Sequence, residues 1–357
     1  MSPKHQLSKQ LSISRIAIVR SLPGLGDLLC TIPALRALRK AFPQTQITLI
    51  GLPWARSFVE RFSHYLDEFL EFPGYPGIPE VPPCVEKLPK FLTSVQEQCF
   101  DLALQMHGNG IVSNSFTVLL GAAINAGFYL PGHYCPHPDY FLPYPDDEPE
   151  IWRHLRLMDF LGIQLQGDDL EFPLQAEDFM ALQQLGIGDS RKSGRETSFV
   201  CIHPGASVSE KRWSLENFAI VADAIAAWGF QIVLTGTKSE TNLTQSIAKM
   251  MHSQPIDLAG QTSLGAMAAL LSQACLLICN DTGVSHLAAA LQIKSVVIFT
   301  NSPVYRWAPL NRQLHRSLSP KQFVSVEKSG ACDLPVTPEM VISQVEELLQ
   351  KEVVNVT

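Results

Sequence analysis

The stretch that most constrains this chain is Asn280-Asp281-Thr282-Gly283, followed by the Ala-rich segment 284–290 and set between the apolar runs 275–279 and 295–299. An apolar run, a tight polar turn, a short helical segment and a second apolar run read as strand, turn, helix, strand. Strands linked this way run parallel, and a parallel sheet needs cover on both faces. The turn also brings a helix N-terminus to the carboxyl edge of the sheet. Its unpaired N–H groups and the positive end of the helix dipole suit a phosphate or diphosphate there. A nucleotide or another phosphorylated ligand is therefore expected.

The same alternation occurs twice. A first series starts with the β-branched run 15–19 and the loop 20–27. A helix follows with Ile32, Leu35, Leu38 and Phe42 on one face and Arg36, Arg39 and Lys40 turned outward. Pro33 fits its first turn if Thr31 caps it. Further strands are read at 47–50 and 100–104. A second series takes strands at 199–203, 231–235, 275–279 and 295–299, with helices at 215–228, 241–251 and 264–273. Thr337-Pro338-Glu339 is a helix start, with cap, proline and early acid. The segments 72–89 and 131–149, rich in Pro and Gly, read as surface loops. The predicted class is α/β, with two Rossmann-like domains whose parallel sheets face a central cleft. Residues 1–187 form the first domain and 198–330 the second. Residues 331–357 form a helix that packs back towards the first, and 186–198 is the linker. A chain of 357 residues suits such a division.

Four loops follow strands and carry the candidate chemistry. In Gly24-Leu25-Gly26-Asp27 the glycines let backbone approach a ligand, and Asp27 stands at a helix start. There it either caps the helix or takes a proton from an attacking hydroxyl. As a dinucleotide fingerprint the loop fails, because Leu29 holds the third glycine position. The loop from His203-Pro204-Gly205-Ala206-Ser207 to Lys211-Arg212-Trp213 offers N–H groups, the Ser207 hydroxyl, and two cations for a diphosphate leaving group. The bland alternative for Lys211 and Arg212 is a solvated face. Glu240, closing the loop 236–240, either accepts from a ribose diol or complements the dipole of the next helix. In the fourth loop Asp281 is expected to organise the turn while Thr282 and Gly283 make the phosphate contacts. His286 either faces the cleft or is a satisfied core residue.

His133, Cys135, His137 and Asp139 alternate potential metal ligands, but their spacing matches no paired zinc pattern and a plain loop is expected. No Asp-x-Asp pair is present to hold a divalent ion against a sugar nucleotide. No cofactor is expected, and the mechanism is read as metal-independent. A net charge of −7 argues against nucleic acid as a partner. Eight cysteines without CxxC pairs, and an N-terminus without an apolar core, point to the cytoplasm.

Together these loops resemble glycosyltransferase family 9, the ADP-heptose:lipopolysaccharide heptosyltransferase family, over nearly the whole chain. The resemblance rests on Gly26-Asp27 with 33–38, on His203-Pro204-Gly205 with Lys211-Arg212-Trp213, and on 258–264 leading to Asn280-Asp281-Thr282-Gly283 and 286–290. It implies the GT-B architecture, with the acceptor in the first half and the nucleotide sugar in the second. It implies inversion with Asp27 as base, and a donor site drawn from Ser207, Lys211, Glu240, Asp281, Thr282 and Gly283. The chain departs from the family pattern at 299–303, at Trp213-Ser214 and at 123–127, changes that bear on the acceptor and the sugar rather than the fold.

The expectation is an inverting, metal-independent glycosyltransferase with Asp27 and Lys211 as catalytic residues. Gly26, Ser207, Arg212, Glu240, Asp281, Thr282, Gly283 and His286 would line the donor site. It would move a sugar, heptose from ADP-heptose, to a glycolipid or oligosaccharide acceptor of the lipopolysaccharide-core type. A cytoplasmic monomer with peripheral contact at the inner membrane is the matching picture. A nucleotide-sugar epimerase of the same fold, or a non-catalytic sugar-nucleotide-binding protein, is the alternative.

Overall fold

The structure is a computed structural model that describes residues 13–186, 198–320 and 335–350. The chain divides into two compact units, Met1–Asp169 and Leu170–Thr357.

The first unit holds strands β1 (Arg15–Val19), β2 (Gln46–Gly51), β3 (Glu68–Glu71), β4 (Leu102–Gln105), β5 (Ile124–Tyr129) and β6 (Phe141–Pro143). They form a parallel sheet in the order β3-β2-β1-β4-β5-β6. Central β1 is apolar and buried from Ile16 to Val19, as a strand covered on both faces must be. The strand order reverses between β1 and β4, where Val19 lies opposite Gln105. Strands β3, β5 and β6 escape the sequence reading for physical reasons. β3 has only two apolar residues, β5 is broken by Asn125 and Gly127, and β6 is three residues at an edge. The segment 72–89 is more than a surface loop. Phe72 and Ile78 are buried in the core, the Phe72 ring meets Phe116 edge-on at 5.0 Å, and a helix starts at Lys87.

Helix Ile32–Ala41 buries Ile32, Leu35 and Leu38 as its periodicity requires. Thr31 stands at its N-cap position but caps nothing: its own backbone is helical (φ −86°, ψ −15°) rather than extended, and its hydroxyl donates to the Leu28 carbonyl at 2.6 Å. Arg36 and Arg39 are pinned rather than free. Arg36 donates to the Asp169 carbonyl at 2.9 Å, and Arg39 to the Thr45 carbonyl at 2.7 Å.

The second unit holds β7 (Phe199–His203), β8 (Gln231–Leu234), β9 (Ile256–Asp257), β10 (Leu276–Asn280), β11 (Ser295–Ile298) and β12 (His315–Leu318). Its sheet is parallel in the order β12-β11-β10-β7-β8-β9, with the reversal between β7 and β10. Helix Leu215–Ala227 starts at Ser214, whose hydroxyl accepts from the Asn217 N–H, and buries Phe218, Val221 and Ile225.

Helix Ala176–Gln184 lies within the second unit, where it packs on Leu264–Leu271. The division thus falls at Asp169, ahead of the segment read as a linker, whose residues 187–197 lie outside the described residues. The last helix, Pro338–Gln350, buries Val341, Val345 and Leu348 in the core of the second unit beside Leu215–Ala227. No helix among the described residues is long and apolar enough to cross a membrane.

Candidate active site

In open parallel sheets, ligands gather beyond the carboxyl ends of the strands where the strand order reverses. Each unit has one such point, and the chemistry-bearing loops of each converge on it.

In the first unit these loops follow β1 and β4. Arg20, directly after β1, is 2% exposed. Its Nε donates to the Asp27 carbonyl at 2.8 Å, and Nη2 lies 3.8 Å from Asp27 Oδ1 and 3.3 Å from Glu150 Oε1. Nη1 donates to the Met106 carbonyl after β4. Asp27 sits in the first turn of helix Leu25–Leu29, with its side chain 22% exposed. Gly26 is buried beside it. The Asp27 carboxylate lies over Gly24, where a Cβ would come within 2.4 Å of Oδ2.

His107 stands on the other side of the same point. The Ser21 N–H donates to its Nδ1 at 3.2 Å, and Nε2 lies 3.7 Å from Glu80 Oε2. Burial, helped by the Arg20 charge, pushes the imidazole down to about 4. Glu150 is buried among Arg20, Arg153 and His154. Burial alone would raise its carboxyl, but the His154 hydrogen bond and the charges of Arg20 and Arg153 hold it well below the usual range.

In the second unit the loops after β7, β8 and β10 meet. Lys211 Nζ lies 3.0 Å from Asp281 Oδ2, an ion pair across the β7–β10 reversal between residues far apart in sequence. Asp281 is 4% exposed and its N–H donates to the Ile298 carbonyl, extending the β10–β11 pairing by one bond. Thr282 is the N-cap of helix Gly283–Ala290 and makes no side-chain cap bond; both Thr282 and Gly283 are half-buried. The Asn280 side chain ties the two loops together. It accepts from the Trp213 N–H at 2.9 Å and donates to the Pro204 carbonyl at 2.7 Å.

Arg212 is half-buried and donates to the Ala206 carbonyl at 3.0 Å, bracing the loop that presents the exposed Ser207. Glu240 Oε2 accepts from the Thr237 N–H and hydroxyl, each at 2.8 Å, so one carboxylate oxygen closes its own turn. The carboxylate packs on Gly205, where a Cβ would stand 2.1 Å from Oε1. His286 is buried, its ring edge-on to Trp307 at 6.1 Å.

The structure thus gathers Gly26 and Asp27 in one unit. In the other it gathers Ser207, Lys211, Arg212, Glu240, Asp281, Thr282, Gly283 and His286 around neighbouring strand ends. Arg20, Glu80, His107 and Glu150 were missed by sequence reasoning. Their partners lie far along the chain, and no local spacing announces them. The loop with His133, Cys135, His137 and Asp139 is mostly exposed, and no group of three or more His, Cys, Asp or Glu among the described residues is gathered as metal ligands.

Comparison with known proteins fits this arrangement. The profile of glycosyltransferase family 9 (heptosyltransferase) matches residues 89–354. Lipooligosaccharide heptosyltransferase 2 of Haemophilus ducreyi is 25% identical over 345 residues, covering 91% of this chain and 97% of its own length. Lipopolysaccharide heptosyltransferase 2 of Escherichia coli K12 is 23% identical over 357 residues, covering 92% and 97%. Among solved structures, the family 9 glycosyltransferase of Veillonella parvula superposes with a TM-score of 0.78 at 22% identity, covering 96% of this chain and 99% of that one. The E. coli ADP-heptose lipopolysaccharide heptosyltransferase II gives 0.74 at 20%, covering 95% and 99%. These two share the fold, a pair of parallel Rossmann-like sheets of the GT-B type. With the family profile matching well over half of its length, the chain belongs to glycosyltransferase family 9 and is a glycosyltransferase.

Proposed function

We propose that this protein transfers heptose from ADP-heptose, with inversion and without a metal ion, to a hydroxyl of a lipopolysaccharide-core glycolipid. The observation that carries the proposal is the Lys211–Asp281 pair beside the N-terminus of helix Gly283–Ala290, at the strand reversal of the second unit. A buried aspartate holds the ammonium where a diphosphate would meet the free N–H groups of a helix start. As the bond from anomeric carbon to diphosphate oxygen breaks, its electron pair stays on the diphosphate. Lys211 and the amides at Thr282 and Gly283 meet that growing charge without reorganising. Glu240 keeps Oε1 for the donor's ribose, while Ser207 and Arg212 shape the loop between.

Asp27 takes the proton of the attacking hydroxyl as its oxygen bonds to the anomeric carbon. Arg20 at 3.8 Å favours the ionised carboxylate the reaction must start from. The donor and acceptor identities come from the names of the relatives, and the half-exposed Asp27 and Thr282 are consistent with them. With a glycolipid acceptor the enzyme works as a monomer at the cytoplasmic face of the inner membrane, touching it peripherally.

Asp27→Asn tests the assignment of roles. Transfer should fall by about a thousandfold, within the usual range for losing a general base, while calorimetry shows ADP binding within twofold of the unaltered protein. Transfer at the original rate would remove Asp27 from the reaction.

A further inference from the structure

Proton acceptance by Asp27 poses a physical difficulty. A carboxylate in the first turn of a helix, with a guanidinium at 3.8 Å, is stabilised in its charged form and is a poor proton acceptor. A closed ion pair would make it poorer still, because a charge-assisted hydrogen bond would occupy an oxygen that has to receive the proton. The contacts of Arg20 explain why it stops short of that pair.

Each nitrogen of the Arg20 guanidinium has a partner other than the Asp27 carboxylate. Nε donates to the Asp27 backbone carbonyl at 2.8 Å, Nη1 to the Met106 carbonyl, and Nη2 to Glu150 Oε1 at 3.3 Å. Glu150 opens helix Glu150–Phe160, and its side chain is 4% exposed against 22% for Asp27. A cation as buried as Arg20 needs a counter-charge. Two carboxylates approach the same nitrogen, and the more buried one takes it. At 3.3 Å Glu150 is within hydrogen-bond reach of Nη2, and at 3.8 Å the Asp27 carboxylate is beyond it.

Glu150 is itself fixed in place. Its Oε2 accepts from Arg153 Nη1, and Arg153 Nε donates to the Pro145 carbonyl at 2.7 Å. His154 Nε2 lies 3.3 Å from Oε1, and burial pushes that imidazole down to about 4, so it faces Glu150 uncharged. Helix Ile32–Ala41 packs against helix Glu150–Phe160, but its Arg36 and Arg39 are held by the Asp169 and Thr45 carbonyls. The titratable and charged groups that face Glu150 are thus Arg20, Arg153 and His154, while Arg20 and Glu80 act on Asp27.

We propose that Glu150 is a positioning residue for the base: by taking Arg20 Nη2 it keeps the guanidinium from closing on the Asp27 carboxylate, and so leaves Asp27 the stronger proton acceptor. The proposal rests on Asp27 serving as base. Its electrostatics agree with its geometry. Burial works against the Glu150 charge, but the His154 hydrogen bond and the two guanidiniums hold its carboxyl well below the usual range. Glu150 is therefore ionised at the near-neutral pH where Asp27 has to accept a proton, and its charge opposes the pull of Arg20.

The test is a kinetic cycle on the full-length protein, with ADP-heptose and truncated lipopolysaccharide cores as substrates. Glu150→Gln keeps an acceptor for Nη2 and removes the charge. Its kcat should fall about tenfold, a part of the full effect of a general base, with KM for ADP-heptose within twofold. The acid limb of kcat/KM should move to lower pH, because Asp27 then meets Arg20 without the opposing carboxylate. Measured on the residual rate of Asp27→Asn, the same substitution should cost no more than about twofold, since its effect runs through Asp27. Glu150→Asp keeps the charge and should give a smaller loss of the same kind; it carries the test alone if the glutamine variant does not fold. An unchanged kcat, an acid limb that stays in place, or equal losses with and without the Asp27 carboxylate overturns the role of Glu150 and leaves the base standing. Transfer by Asp27→Asn at the original rate overturns both.

Discussion

Gly24 and Gly205 matter for the side chains they leave room for. Gly24 has φ −87° and ψ 136°, a conformation open to any residue, so an alanine there would fit the backbone. Its methyl would instead meet Asp27 Oδ2 at 2.4 Å and turn the carboxylate away. Gly24→Ala should cost about tenfold or more in transfer, since small misplacements of a reacting group are expensive, with an unchanged melting curve. Gly205→Ala should act on donor binding, because its methyl would overlap the Glu240 carboxylate. ADP affinity measured by calorimetry should weaken while folding is retained. At this scale the sequence singles out Asp27, Lys211, Glu240 and Asp281 as candidates, because each lies in a loop that follows an apolar run. It is silent on Arg20, Glu80, His107 and Glu150, whose partners are set by which strands lie side by side. It also left Glu240 open between binding a ribose diol and complementing the dipole of the next helix. The structure assigns Oε2 to the Thr237 turn.

At the scale of elements, the turn after β10 was legible because strand, turn and helix are consecutive in the chain. The Asn280 bridge was not legible, since it joins that turn to Trp213 and Pro204 on the loop after β7. Fully buried, Asn280 cannot be trimmed without orphaning a donor and an acceptor. Asn280→Ala should lower stability by about 1–3 kcal/mol, read from urea unfolding, and should weaken ADP binding as the loop bearing Lys211 loses its anchor. Helix Ile32–Ala41 shows the reverse. Its apolar spacing predicted the element and its buried face, while the expected Thr31 cap did not form because Thr31 itself holds helical backbone angles.

For the whole molecule, the two units use one strand order, and each places its loops at one reversal. The alternation of strands and helices announced that class. The edge strands β3, β6 and β9 were too short or too polar to announce themselves. Both units carry buried histidines held neutral. His107, His154 and His315 are each pushed down to about 4, mainly by burial. Unfolded, they bind protons near pH 6.5, so between pH 6.5 and 4 the unfolded chain holds more protons than the native one. Stability from these groups is complete above pH 6.5 and is lost as the pH falls towards 4. Urea unfolding should show a loss of about 2 kcal/mol or more over that interval, and His154→Gln should flatten the slope.

The proposed reaction is an inverting heptosyl transfer with Asp27 as base and the Lys211–Asp281 pair at the diphosphate. NMR of the product formed from ADP-heptose and a truncated lipopolysaccharide core tests it most directly, read at the new anomeric centre. The account predicts a heptosylated core with configuration opposite to that of the donor, and ADP released in step with transfer. Retained configuration, or ADP released with no glycosylated product, contradicts it.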